Sequence, residues 1–114
     1  MTSNEKAAQI VQFVEDAKAA QIETLDVRKK TSVADFFVIC TGTSDRHVES
    51  IADRVAESLR ALKERPLRRE GEKSGWVLLD YGDVILHVML EEQRQFYDLE
   101  TLWKTARPDP NLVD

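Results

Sequence analysis

Few groups in this 114-residue chain could do chemistry. Asp80 and Asp83 flank Tyr81-Gly82 and are the nearest thing to a paired-carboxylate site. A hard divalent cation needs several oxygen ligands. These two sit beside a turn, where aspartate is common for its own hydrogen bonding, and no third carboxylate follows at a suggestive spacing. His47 and His87 are the only histidines and Cys40 the only cysteine. No serine or cysteine stands in a nucleophile motif. Cys40 lies in an apolar run that suits a small core residue, and local spacing assembles no His/Cys metal site. Gly42-Thr43-Ser44 precedes a helical pattern and could offer backbone N–H groups to a phosphate. Without Gly-x-Gly-x-x-Gly or Gly-Lys-Ser/Thr, the junction reads as a helix cap. Lys63, Arg65, Arg68 and Arg69 form a basic cluster interrupted by Glu64 and Glu70. It could touch RNA, but reads first as a solvated loop and edge strand. No catalytic residue, metal site or cofactor is expected.

The elements that would position these groups follow from periodicity. Thr2-x-x-Glu5 resembles a capping box. A helix from about Glu5 to Ala19 follows, with Ala7, Ile10, Val11, Phe13, Val14 and Ala17 at helical spacing. Ile22 to Arg28 alternates as a half-buried strand does. Val33 to Thr41, VADFFVICT, is β-branched and aromatic and suits a central strand. Thr43 or Ser44 caps a long helix carrying the stripe Val48, Ile51, Ala52, Val55, Leu59 and Leu62. It should end near Leu62 to Glu64, because Pro66 disfavours helix at Arg65. Leu67 to Glu70 is a short charged edge strand. A hairpin begins at Trp76, and a helix from about Glu92 to Thr105 presents Phe96, Leu99, Leu102 and Trp103. The order αββα(β)ββα predicts an α+β domain over residues 1–106, with one mixed sheet, helices mainly on one face and the other face partly open. Residues 107–114 read as a flexible tail.

The hairpin is the most informative stretch. With Tyr81-Gly82 as a two-residue loop, Asp80 faces Asp83, Leu78 faces Ile85 and Trp76 faces His87. Alternation puts Val77, Leu79, Val84, Leu86, Val88 and Leu90 on one aliphatic face, which should be core. The other face holds Trp76, Leu78, Asp80, Asp83, Ile85, His87 and Met89. That mixture suits a docking surface. Trp76, Met89, Arg94 and Tyr97 are of types enriched at interface hot spots. The bland alternative buries Trp76 and Met89 under a loop or the last helix.

Composition narrows the partner. Hydrophobic residues are 42%, charged residues 32%, and the net charge is −5. An acidic balance opposes binding driven by nucleic-acid phosphates and suits a basic protein partner. No apolar run reaches the roughly 18 residues of a membrane span, and MTSNEKAAQI has neither the blocks of a signal peptide nor the acid-poor character of a transit peptide. A cytosolic location is expected.

The motifs Ala34-Asp35-Phe36-Phe37-Val38-Ile39-Cys40-Thr41-Gly42-Thr43-Ser44, Arg46-His47-Val48, Ile51-Ala52-Asp53, Glu70-Gly71 and Trp76 resemble those of the bacterial ribosomal silencing factor family, also called Iojap-like. Asp80-Tyr81-Gly82-Asp83-Val84-Ile85, His87-Val88-Met89, Arg94, Phe96-Tyr97, Leu99-Glu100 and Leu102-Trp103 extend the resemblance over about residues 5 to 104. It implies a nucleotidyltransferase-like topology without the catalytic carboxylates, and a non-catalytic role. It further implies binding to the large ribosomal subunit through its protein L-fourteen, a block on joining of the small subunit when nutrients are short, and a homodimer when free. On the mixed hairpin face, Trp76, Leu78 and Met89 would then be apolar anchors. Asp80, Asp83 and Glu91 would pair with basic groups, and His87, Arg94 and Tyr97 would border them. The rival readings are a nucleotide-binding, nucleotidyltransferase-like enzyme and an RNA-binding module using the basic cluster.

Overall fold

A computed structural model describes residues 1–112. Its elements are α1 (Ser3–Asp16), β1 (Ala20–Asp26), β2 (Phe36–Gly42), α2 (Asp45–Ala61), β3 (Arg68–Glu70), β4 (Trp76–Asp80), β5 (Val84–Leu90), α3 (Glu91–Tyr97) and α4 (Leu99–Thr105). The sheet order is β1-β2-β5-β4-β3. β2 and β5 run parallel, and the other neighbours are antiparallel. The parallel pair is the one joined through the α2 crossover, as a parallel connection requires. The result is the expected mixed sheet.

Both long helices start where their caps place them. Thr2 and Glu5 form the reciprocal capping box of α1, and the Ser44 hydroxyl accepts from the His47 N–H at the start of α2. A Cβ on Gly42 would lie 2.8 Å from Val48 Cγ2. The glycine therefore serves the close approach of strand and helix. His47 Nδ1 accepts from the Thr43 N–H, and its Nε2 donates to the Ala17 carbonyl. That pins the β2–α2 junction to the end of α1. Ile10 and Val14 of α1 and Val48, Ile51, Ala52, Val55 and Leu59 of α2 then bury against Val38, Cys40, Val77, Leu79, Val84, Leu86 and Val88. Each fully buried aliphatic side chain contributes about 1.5–3 kcal/mol. Burial pushes the Cys40 thiol up to about 12, so it is an inert part of this core.

The hairpin register differs from expectation. Trp76 pairs with Met89, Leu78 with His87 and Asp80 with Ile85. The turn lies one residue later, because the Tyr81 N–H donates to the Val84 carbonyl and the Tyr81 ring is buried in the main core. Gly82 takes φ +87° at the first loop position, which a II′ turn reserves for glycine. The pairing slips by two residues, an even number, so the faces of β4 and β5 are unchanged.

The last helix is two. Asp98 adopts a left-handed conformation (φ 46°, ψ 54°), ending α3 and capping α4 through the Thr101 N–H. Aspartate tolerates this conformation better than most residues. The break turns Leu99 and Trp103 onto the second sheet face, beside Leu25, Val27, Ala34, Phe37, Ile39, Ile85 and Met89. Phe96 and Leu102, expected on the packed side of one continuous helix, are exposed. The second face is thus covered at the β1–β2 end and half-open around Trp76 and Leu78. In the tail segment, the Asp109 N–H donates to the Lys29 carbonyl at 2.7 Å. Its last residues, Val113 and Asp114, lie outside the described residues.

Candidate docking face

Six rings run across the second sheet face. Phe96 meets Tyr97 edge-on at 5.0 Å between centroids, and Tyr97 lies 4.8 Å from Trp76. Trp76 lies 5.8 Å from His87, His87 meets Phe37 edge-on at 5.3 Å, and Phe37 meets Trp103 edge-on at 5.2 Å. Such pairs add about 0.5–1.5 kcal/mol each beyond burial. Burial grades along the series: Phe96 is 80% exposed, Tyr97 51%, and His87 only 5%. One end of the series is core, and the other meets solvent.

Trp76 and Leu78 line an open groove of about 310 Å³ with Glu70, Gly71 and Ser74. Tyr97 and Phe96 line another, of about 270 Å³, with Glu92 and Gln93. Glu91 is exposed at the start of α3 and accepts from the Gln95 amide. The structure thus joins Trp76, Leu78, Tyr97 and Glu91 in one region, as the sequence suggested, and adds Phe96. Sequence reasoning missed Phe96 because it assumed a single helix. The signal lay in Asp98, followed three residues later by Thr101 in the manner of an N-cap.

The remaining candidates are placed differently. Met89 has no exposed surface and packs in the second core under α4, so it is not a surface anchor. His87 is buried, and its Nδ1 accepts from the Trp76 indole N–H at 3.1 Å, which leaves the ring proton on Nε2. Nε2 has no hydrogen-bond partner among the described residues. Desolvation lowers the His87 pKa to about 4, so the ring is neutral. It orients Trp76 from behind rather than bordering a partner.

Arg94, expected at the border of the docking surface, is 7% exposed. Its Nη1 donates to the Gln21 carbonyl at 2.5 Å and to Thr41 Oγ1 at 2.8 Å, and its Nε donates to Glu100 at 3.0 Å. It ties α3 and α4 to β1 and β2, and so holds Phe96 and Tyr97 in place. Lys104, on α4, pairs with Glu23 of β1.

The two aspartates diverge to separate cations. Asp80 pairs with Arg68 at 3.0 Å and accepts from the Gly82 N–H. Asp83 pairs with Lys6 of α1 at 2.8 Å, because the shifted turn puts it on the α1 side of the sheet and not on the mixed face. Lys6 also pairs with Glu64 at 3.3 Å. Burial opposes the Lys6 charge, but its hydrogen bonds to Asp83 and Glu64 outweigh that and raise its pKa.

Comparison with known proteins agrees with this architecture. Residues 1–114 match the family described as ribosomal silencing factor during starvation. The chain is 39% identical over 106 residues to the ribosomal silencing factor of Halalkalibacterium halodurans, covering 91% of each sequence. It is 39% identical over 99 residues to that of Chromobacterium violaceum, covering 86% of this chain and 81% of the relative. A crystal structure from Chromobacterium violaceum superposes with a TM-score of 0.89 at 34% identity, covering 99% of this chain and 95% of the other. The chain belongs to the family of ribosomal silencing factors.

Proposed function

We propose that this chain binds the large ribosomal subunit through the basic ribosomal protein L-fourteen. Bound there, it sterically blocks joining of the small subunit and damps translation when nutrients are short. The observation that carries the reading is the exposed run Phe96–Tyr97–Trp76 beside Leu78, rimmed by Glu70, Glu91 and Glu92. Rings that lose water on contact supply affinity, and rim carboxylates orient a basic surface and speed encounter. His87 and Arg94 act from below, by holding Trp76 and α3.

No bond need be made or broken. Inhibition follows from occupancy, so repression should saturate near one protein per large subunit. Asp80 and Asp83 are engaged by Arg68 and Lys6, which supports a role without catalysis. Among the described residues no helix is long and apolar enough to cross a membrane. The working location in this reading is the cytoplasm, with the free protein a homodimer that shields the same exposed apolar face.

The test is binding to purified L-fourteen. Trp76→Ala should weaken it by about 2 kcal/mol, roughly thirtyfold. Phe96→Ser should weaken it comparably without loss of stability, since the ring is 80% exposed. Wild-type affinity in both variants would remove this face from the account.

A further inference from the structure

The basic cluster divides in the structure. Arg68 pairs with Glu70 and Asp80, and Arg69 pairs with Glu49 and Asp53. Lys63 and Arg65, together with Arg60 from the last turn of α2, have no ion pair among the described residues. Glu64, between them in sequence, is taken by Lys6. The end of α2 gathers these cations. The Lys63 N–H donates to the Arg60 carbonyl, the Glu64 N–H donates to the Leu59 carbonyl, and Lys63 takes φ +65°. This is a Schellman turn that reverses the chain. Arg60 and Arg65 then line one open groove of about 360 Å³ with Ala56, Glu57 and Pro66. On a chain of net charge −5, this corner is locally basic.

Its position gives the corner a use. Arg65 and Pro66 lead directly into β3, which pairs with β4, the strand that carries Trp76 and Leu78. Arg68 on β3 reaches across to Asp80. The basic corner and the docking face therefore flank the same edge strand. The surface of a ribosomal subunit around any protein is largely RNA phosphate, so an acidic chain docked there would be repelled unless it presented cations at its margin. The groove has no aromatic ring on which a base could stack.

We propose that Arg60, Lys63 and Arg65 contact the phosphate backbone of ribosomal RNA beside the docked protein, independently of base sequence. The inference rests on the large-subunit reading above.

The test measures binding of the full chain to purified large subunits by sedimentation at several salt concentrations. One variant carries Arg60→Ser, Lys63→Gly and Arg65→Ser. The glycine suits the left-handed position and keeps the turn. A control carries Lys18→Gly, Arg46→Ser and Arg107→Ser, which removes as much charge elsewhere. Each lost phosphate contact lowers the slope of log affinity against log salt by about 0.7–0.9. The corner variant should therefore bind with a slope shallower by about 2, while the control keeps the wild-type slope. Binding to isolated L-fourteen should be equal for all three proteins. A corner variant with the wild-type or control slope overturns the RNA contact, and so does an equal loss of binding to isolated L-fourteen, which would mean that the cations meet protein. If the wild-type chain does not sediment with large subunits, the subunit reading itself fails. Normal subunit binding with no change in slope removes only the RNA contact.

Discussion

Acid should destabilise this fold through His87 in a specific window. The side chain is buried beneath Trp76 and Phe37, and its only hydrogen bond among the described residues is accepted from the Trp76 indole N–H by Nδ1. Protonating Nδ1 would abolish that bond and place an uncompensated charge in an apolar setting. Burial accordingly lowers the pKa from 6.5 to about 4. For a base whose folded pKa is depressed, no penalty exists above the unfolded value near 6.5. The penalty grows as pH falls, because the unfolded chain takes up the proton first, and it levels off below about 4. At roughly 1.4 kcal/mol per pH unit, the full loss is about 3 kcal/mol. About 2 kcal/mol of it should already appear between pH 7.5 and pH 5. Urea unfolding at these two pH values measures it directly. His87→Gln does not titrate and can still accept from the indole through its amide oxygen. Whatever its stability at pH 7.5, it should lose about 2 kcal/mol less than wild type on going to pH 5. An equal loss in variant and wild type would refute the assignment of His87 as a buried neutral ring supporting Trp76.

Other substitutions separate support from contact. Met89→Ala should cost about 2–5 kcal/mol of stability, whereas Met89→Leu should cost less than about 1.5 kcal/mol, read by denaturant unfolding. A small effect of Met89→Ala would mean that the residue is not packed as described. Arg94→Met should destabilise by about 3 kcal/mol by leaving Glu100 unpaired. Amide exchange should then show α4 opening before the main core, and uniform protection would contradict the tie. Lys6→Met should leave Asp83 and Glu64 without their cation and lower stability by about 1–2 kcal/mol. Lys6 carries a raised pKa, so its contribution persists below its unfolded pKa and is lost only as pH rises through the folded value. Wild type and Lys6→Met should therefore differ in stability by a constant amount from pH 6 to pH 8.

Much of this architecture was legible in residue patterns. The α2 stripe and the Thr2–Glu5 box are local signals that tertiary packing reinforces. The two hairpin faces survived a wrong register because the slip was even and the side-chain period of a strand is two. The placement of Asp83 did not survive. Burial of Tyr81 in the main core moved the turn and swung Asp83 toward Lys6, and such burial is a tertiary fact that local turn rules do not contain. The final helix misled in the same way. A continuous helical pattern hid the break at Asp98, and with it the reason Phe96 lies outside while Leu99 and Trp103 lie inside. Arg94 looked like an interface arginine by type. Its role as a tie depends on Gln21 and Thr41, which are remote in sequence.

The central claim is occlusion of the large subunit, and a joining assay tests it most directly. The protein is added to purified large subunits, small subunits follow, and the joined fraction is read by sedimentation beside Phe96→Ser. The account predicts that wild type travels with the large subunit and lowers the joined fraction, saturating near one copy per subunit, and that Phe96→Ser does so only at higher concentration. Stable binding with undiminished joining would contradict it.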